Sequence, residues 1–350
     1  MYYKAKALHE LGIEIIMHCF KYGREESEEL EKICSKVFYY KRFSGIQYHL
    51  SSKPYIVATR SNKQLLHNLR KDSYPILFEG LHSTYFIDHP AMEGRIKIVR
   101  AHNVEHDYYT NLANIETEYY KKVFFKREAK KLKKYEHVLK LADFLLAISK
   151  NDTVYFENLY STTLNISAFH QNNTVKINEG KGDYALYHGN LSVAENIYAA
   201  EFLVNNVFND INYPLIIAGK NPSKYLIEEI NKYDHIDLMT NLSDHEISEL
   251  IQNAQINILP TFQKTGLKLK LLASLYLGRH CIVNENMVEN TGLEDLCIIK
   301  NTAADMKESI LKYKDITFTE NDILKRKEIL ETDFSNKTNA EKIVQYCLKK

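Results

Sequence analysis

The sequence predicts an α/β protein of two domains, each a parallel sheet covered by helices on both faces. Three observations lead there. The chain has 350 residues, about two domains' worth. Apolar residues make up 45% of it, enough for a sizeable core in each half. Short apolar runs alternate with longer amphipathic ones along both halves. That is the rhythm of strand–helix–strand units whose strands are buried on both faces.

In the first half the expected strands are Ile13–Cys19, Val37–Lys41, Ile76–Glu79, Ile96–Arg100 and Phe144–Ile148. Helices are expected over Lys63–Lys71 and from about Glu116 to Ala142. In the second half the strands are Ala185–His188, Leu215–Ala218, Ile236–Met239, Ile256–Pro260, Cys281–Val283 and Cys297–Ile299, with helical patterns between them. No short-period repeat is visible. From Asn165 to Gly182 the chain is polar and weakly periodic, which reads as a linker between domains at 1–180 and 181–350. The last helix is placed to pack back on the first domain. Ser192-Val-Ala-Glu195 and Ser243-Asp-His-Glu246 both fit the capping box, each before an apolar-periodic run.

Composition narrows the function. Forty-six Lys and Arg against 45 Asp and Glu leave a net charge of +1, so nucleic acid is not expected as a partner. No apolar run reaches the roughly 18 residues of a membrane span. The opening MYYKAKALHELG lacks the parts of a secretory signal. Cys19, Cys34, Cys281, Cys297 and Cys347 are scattered without a CxxC pair, which reads as thiols in a reducing cytosol. The lack of Trp and the 25 Tyr fit an AT-rich genome and say nothing of activity.

Candidate chemistry sits at strand ends. Gly189 and Asn190 fall in the turn between a strand and a helix, where open α/β sheets bind ligands and free N–H groups favour phosphate. Lys220 follows the strand LIIA and faces the same side. Gly266 precedes a helix whose first N–H groups are unpaired, with Lys268 and Lys270 beside it. Residues two apart on a helix diverge, so both lysines face one ligand only if Lys268 precedes the regular turn. These three strand ends together suit a diphosphate. In the first half, His102, Asn103, Glu105 and His106 follow the strand IKIV. Their spacing also fits HxxEH, a zinc metallopeptidase pattern that needs both His on one helix face and a third ligand. The β-branched run into His102 favours a strand-end histidine instead. Lys121–Lys140 holds nine Lys or Arg against two Glu, threaded by Phe124, Phe125, Ala129, Leu132, Tyr135, Val138 and Leu139. It reads as an amphipathic basic helix, packed on the core with a solvated face or drawn to anionic lipid.

The stretches RAHNVEHDYY, YHGNLSVAEN, LIIAGKNPS and NLSDHEISELIQNAQINILPTFQKTGLKLKLLASLYLGRHCIVN together resemble the GT-B glycosyltransferases of the retaining family 4 type, over nearly the whole chain. The resemblance implies two Rossmann-like domains facing a cleft. A nucleotide sugar would bind the C-terminal domain and a glycan or lipid-linked glycan acceptor the N-terminal one. No metal or other cofactor is implied, and the chain has no DxD triplet. It implies donor contacts at Gly189, Asn190, Lys220, Asn241, Leu242, Thr265, Gly266, Leu267, Lys268 and Lys270. His102 would lie near the transferred sugar, with Asn103, Glu105 and His106 on the acceptor side. Many members carry two glutamates eight positions apart around the donor sugar; here Thr265 and Ala273 stand there. Members also open with a strand and a glycine-rich loop, whereas this chain starts in the helix that follows. The expectation is a cytoplasmic hexosyltransferase using UDP- or GDP-sugar, peripheral to the inner membrane if the basic helix binds lipid. The alternatives are a catalytically silent nucleotide-binding protein of the same fold and the zinc metallopeptidase.

Overall fold

The computed structural model describes residues 1–348 apart from Arg24, Thr117, Ser161 and residues 264–267. Twelve strands are present among the described residues, and every strand pair is parallel. The chain divides into two compact units, one of residues 1–170 and 336–350 and one of residues 171–335. The division falls inside the polar stretch Asn165–Gly182.

In the first unit, β1 (Ile16–Lys21) and β2 (Lys36–Lys41) pair by themselves. β3 (Ile76–Glu79), β4 (Lys97–Ala101), β5 (Phe144–Ala147) and β6 (Thr163–Asn165) form a second sheet in that order. β1 lies three residues later than its expected start. Ile13 and Ile15 are drawn into the cluster formed by Ala7, Leu8 and Ile98, so the strand begins after them. His18 is tolerated inside it because Nδ1 lies 2.7 Å from the Tyr40 hydroxyl and its ring stacks on Phe38 and Tyr40. β6 is missing from the sequence reading. Thr-Leu-Asn offers a single apolar residue, too short a signal for a strand.

The expected helix from Glu116 to Ala142 is split. A helix over Glu105–Ile115 precedes one over Tyr119–Tyr135, and tighter turns carry on over Glu136–Leu141. At the change, the Tyr160 hydroxyl donates to the Glu136 carbonyl and the Tyr155 hydroxyl to its carboxylate, at 3.1 and 2.7 Å. Ala129, Leu132, Tyr135, Val138 and Leu139 turn inward, while Lys126, Arg127, Lys130, Lys133, Lys134 and Lys140 are exposed. Both carboxylates of the stretch, Glu128 and Glu136, are buried, so the outer face is cationic. The C-terminal helix (Asn336–Ile343) packs Ala340 and Ile343 against Ala7 and Leu8, and Asn339 accepts from the Ser167 N–H.

In the second unit, β7 (Ala185–His188), β8 (Leu215–Ala218), β9 (Ile236–Met239), β10 (Ile256–Leu259), β11 (His280–Val283) and β12 (Ile298–Ile299) form one sheet in the order β12-β11-β10-β7-β8-β9. β7, β10 and β11 are buried at every position, as strands covered on both faces must be. The helix over Leu269–Leu277 buries Leu271, Leu272, Leu275 and Leu277 against them. Truncating one of these leucines to Ala costs about 2–5 kcal/mol. The capping box at Ser243 is formed, and its helix runs over Asp244–Asn253.

Candidate functional site

The strand order of the second unit reverses at β7. The chain runs outward from β7 to β8 and β9, then returns to place β10 on the other side of β7. Ligands bind parallel sheets at such a switch, outside the carboxyl ends of the strands. A cavity of about 200 Å³ opens there, lined by His188, Gly189, Asn190, Gly219, Lys220 and Leu242 among others. Gly219 is required by close packing. A Cβ on it would lie 2.2 Å from the Gly189 carbonyl oxygen and 2.7 Å from Leu191. Asn190 closes the first turn: its side-chain oxygen accepts from the Ser192 N–H and hydroxyl at 3.1 and 2.8 Å. Lys220 is exposed at the cavity edge. Asn221 and Asn241 hold left-handed backbones, φ 55° and 59°, at the ends of β8 and β9. Asn241 itself is exposed and adjoins the cavity-lining Leu242, Asp244 and Ile247.

Beside this cavity two lysines gather near the Glu195 carboxylate, and one of them pairs with it. Lys268 has an extended backbone as the residue before the helix, so it precedes the regular turn. Its Nζ lies 3.7 Å from Glu195 Oε1. Lys270 Nζ donates to Asn196 Oδ1 at 2.9 Å and to the Tyr187 hydroxyl at 3.3 Å, and stands 5.0 Å above the Tyr187 ring. Burial, reinforced by Lys268 and partly offset by Glu195, pushes Lys270 down to about 8. The Thr261 hydroxyl donates to Glu195. Asn284 holds the Thr261 backbone on both sides, accepting its N–H at 2.9 Å and donating to its carbonyl at 2.6 Å. His188, pushed down to about 3 by burial and then by Lys270, stays neutral against the Ser274 hydroxyl at 3.0 Å. Thr265, Gly266 and Leu267 lie outside the described residues. Ala273 is half-buried on the following helix and brings no polar group.

The capping box expected at Ser192–Glu195 is not formed. The helix begins at Ala194, the Ser192 hydroxyl is taken by Asn190, and the Glu195 carboxylate turns to Thr261 and Lys268. Two nearby cations hold a carboxylate more strongly than a backbone N–H at an exposed helix start.

In the first unit, His102 follows β4 directly, at a strand end rather than on a helix. Its Nε2 lies 3.2 Å from Glu79 Oε2, and Lys4 pairs with the other oxygen of Glu79. Burial, with Arg100 and Lys4, pushes His102 down to about 4. The neutral ring therefore donates from Nε2 to the carboxylate and leaves Nδ1 as an acceptor. The His82 ring stands 6.0 Å away. Asn103 is half-buried beside His102, and Glu105, buried at the head of the next helix, is pushed up to about 7 by burial.

The zinc reading of HxxEH is corrected. His106 lies on the helix and turns to the Tyr155 hydroxyl at 3.0 Å and to Glu136 at 3.6 Å, while His102 turns to Glu79. Strand and helix geometry thus send the two rings to different partners. Among the described residues no group of three His, Cys, Asp or Glu is placed to hold a metal ion. Sequence reading also misses Glu79, Lys4, Asn196 and Tyr187, and sees Glu195 as a cap. Glu79 left one signal, a charge closing the apolar run Ile-Leu-Phe.

No protein-family model matches the chain. It is 26% identical over 313 residues to an uncharacterized 44.6 kDa protein in the cps region of Klebsiella pneumoniae, covering 83% of this chain and 80% of that one. It is similar in structure to a sucrose-phosphate synthase from Thermosynechococcus elongatus, with TM-score 0.68 and 13% identity over 98% of this chain and 90% of that one. It is also similar to a UDP-glucosyltransferase from Polygonum tinctorium, with TM-score 0.59 and 9% identity over 100% of this chain and 95% of that one. At these identities the likeness is one of fold: the chain has two α/β domains, each with a parallel sheet, as GT-B glycosyltransferases do.

Proposed function

We propose that the protein is a glycosyltransferase that moves a sugar from a nucleoside diphosphate sugar to a glycan or lipid-linked glycan. One observation carries this reading: two lysines and the glycine turns of β7 and β8 gather at the switch point of the second unit's sheet. Lys268 and Lys270 meet the diphosphate as the glycosidic bond breaks and stabilise the charge developing on it. The turn at Gly189 lets the backbone approach the phosphates, and Lys220 adds an exposed cation at the rim. Leu242 and the backbone at Asn241 take the base. Glu195 orients Lys268 and supplies the carboxylate that Ala273 cannot. His102, fixed by Glu79, accepts a hydrogen bond from a hydroxyl of the transferred sugar or the acceptor through Nδ1.

The finer proposals are a retaining reaction, no metal requirement, UDP or GDP as the leaving group, and the first and second units as acceptor and donor domains, with the boundaries expected at 1–180 and 181–350 moved to 1–170 with 336–350 and to 171–335. The exposed cations of Lys121–Lys140, next to exposed Tyr119 and Tyr120, support peripheral contact with anionic lipid from the cytoplasmic side. Among the described residues no helix is long and apolar enough to cross a membrane.

The test is calorimetric titration of the full chain with UDP and GDP, followed by turnover assays with several nucleotide sugars. Saturable binding with sugar transfer is expected. Absence of binding by either nucleotide at millimolar concentration sinks the reading. Binding without turnover selects the second reading, a catalytically silent nucleotide-binding protein, which Ala273 favours.

A further inference from the structure

Two guanidinium groups lie close together in the first unit, and among the described residues neither forms an ion pair with a carboxylate. Arg42 Nε donates to the Thr59 hydroxyl at 3.1 Å, which brings it beside Arg60, and Arg60 donates to the Ile56 carbonyl. Aromatic rings brace both groups. Arg42 stands 4.4 Å over Tyr22 and 5.8 Å over Tyr55, and Arg60 stands 5.9 Å over Phe20. Both side chains are half-buried. They act together on His82, which burial and then Arg60, His102 and Arg42 push down to about 3. The pair therefore belongs to the same neighbourhood as His102.

The charges around them do not balance. An arginine cannot shed its proton in this pH range, so the pair keeps two positive charges at close quarters. His82 and His102 are neutral, and burial pushes Glu105 up to about 7 against the pull of Arg60, so near neutral pH it offsets only part of the pair's charge. Like charges in a partly desolvated place repel more than they would in water. A doubly charged anion relieves that repulsion, and the planar guanidinium fork matches phosphate oxygens two at a time. Carboxylate brings one charge; a phosphate monoester brings about two.

We propose that Arg42 and Arg60 bind a phosphate group of the acceptor, so that the molecule receiving the sugar is phosphorylated. Naming it the acceptor rests on the glycosyltransferase reading; the phosphate site itself does not. The phosphate is carried either by a soluble sugar phosphate or by a lipid headgroup.

The experiment titrates the full chain with inorganic phosphate, with glucose 6-phosphate and with vesicles containing phosphatidic acid. It uses the wild type, the double variant Arg42→Gln/Arg60→Gln and the charge-keeping Arg42→Lys/Arg60→Lys, each with the second unit's site filled by saturating UDP in a further run. Melting temperature checks folding, and UDP is titrated in parallel. The Gln variant should lose about tenfold or more, and the Lys variant should keep part of the affinity. UDP affinity should stay unchanged in both arginine variants. Arginine-dependent binding of glucose 6-phosphate alone assigns a soluble acceptor, and arginine-dependent binding of vesicles alone assigns a lipid-borne one. Equal binding by the Gln variant and the wild type overturns the proposal, as does the absence of saturable binding by the wild type to all three probes at millimolar phosphate. Loss of UDP binding with arginine-dependent phosphate binding retained overturns the glycosyltransferase reading and leaves the phosphate site standing.

Discussion

The polar centres of the two units both lie at the carboxyl ends of parallel strands, and they are built from different materials. In the second unit the centre is made of turns. Gly189 and Gly219 pack backbone against backbone, and Lys268 and Lys270 enter within three residues of each other. In the first unit it is made of titratable side chains from distant places: Lys4, Glu79 and His102 on one side, Arg42 and Arg60 on the other. A centre made of turns fails through shape, and one made of charges fails through an uncompensated charge. The same kind of substitution should therefore have different consequences in the two units.

Glu79→Gln is the largest break. It removes the anion from a mostly buried Lys4 and from His102. Loss of one partner of a buried pair costs about 3–5 kcal/mol. Urea denaturation should show that loss, while UDP affinity of the folded protein stays near wild type. A fall in UDP affinity equal to that of Lys270→Ala would show that the two centres are not separable.

Gly219→Ala tests shape. Its Cβ would meet the Gly189 carbonyl oxygen at 2.2 Å, so the two turns must part. Overpacking of this kind costs about 1–3 kcal/mol. UDP binding should weaken alongside stability, which Glu79→Gln does not do. Wild-type affinity in Gly219→Ala would place the diphosphate elsewhere.

Lys270→Ala should leave the melting temperature nearly unchanged and lower UDP affinity about 10- to 100-fold, the worth of one charge-assisted contact. Lys220→Ala, at the exposed rim, should cost less. The reverse order would move the diphosphate towards β8.

The smallest effect is that of pH. Lys270 titrates at about 8, so its cation is present below that pH and lost above it. UDP affinity should fall as pH rises through about 8, and Lys270→Arg should flatten the profile. Stability without nucleotide has the opposite sign. Folding lowers this pKa from 10.5, so between about 8 and 10.5 the unfolded chain binds more protons and the contribution of this group to stability rises with pH. A pH-independent affinity in the wild type would remove Lys270 from the site.

How much of this was legible follows the same division. The strands of the second unit stand out as short, mostly apolar runs, and β7, β8 and β9 lie where those runs place them. The turn at Gly189 is visible because strand, glycine and helix are adjacent in sequence. The role of Glu195 was not, because Ser-x-x-Glu before a helix has two physical outcomes. Only the nearby Lys268 and Thr261, over 60 residues later, decide between them. The first unit's centre was illegible apart from His102. Glu79 is 23 residues from His102 and 75 from Lys4, and Arg42 and Arg60 meet through a hydroxyl 17 residues from the first of them.

By itself the sequence determined the fold class, the strands of the three parallel sheets except β6, and the turns at the strand ends of the second unit. Those depend on hydrophobic periodicity and on turn residues, which act over a few neighbours. Only the tertiary structure decided which charges meet. Lys268 and Lys270 converge because the first is not yet helical, His102 and His106 part because one ends a strand and the other starts a helix, and Arg42 and Arg60 come together with neither in an ion pair among the described residues. A charge is set by its neighbours in space, and along a chain of 350 residues those neighbours are mostly far away in sequence.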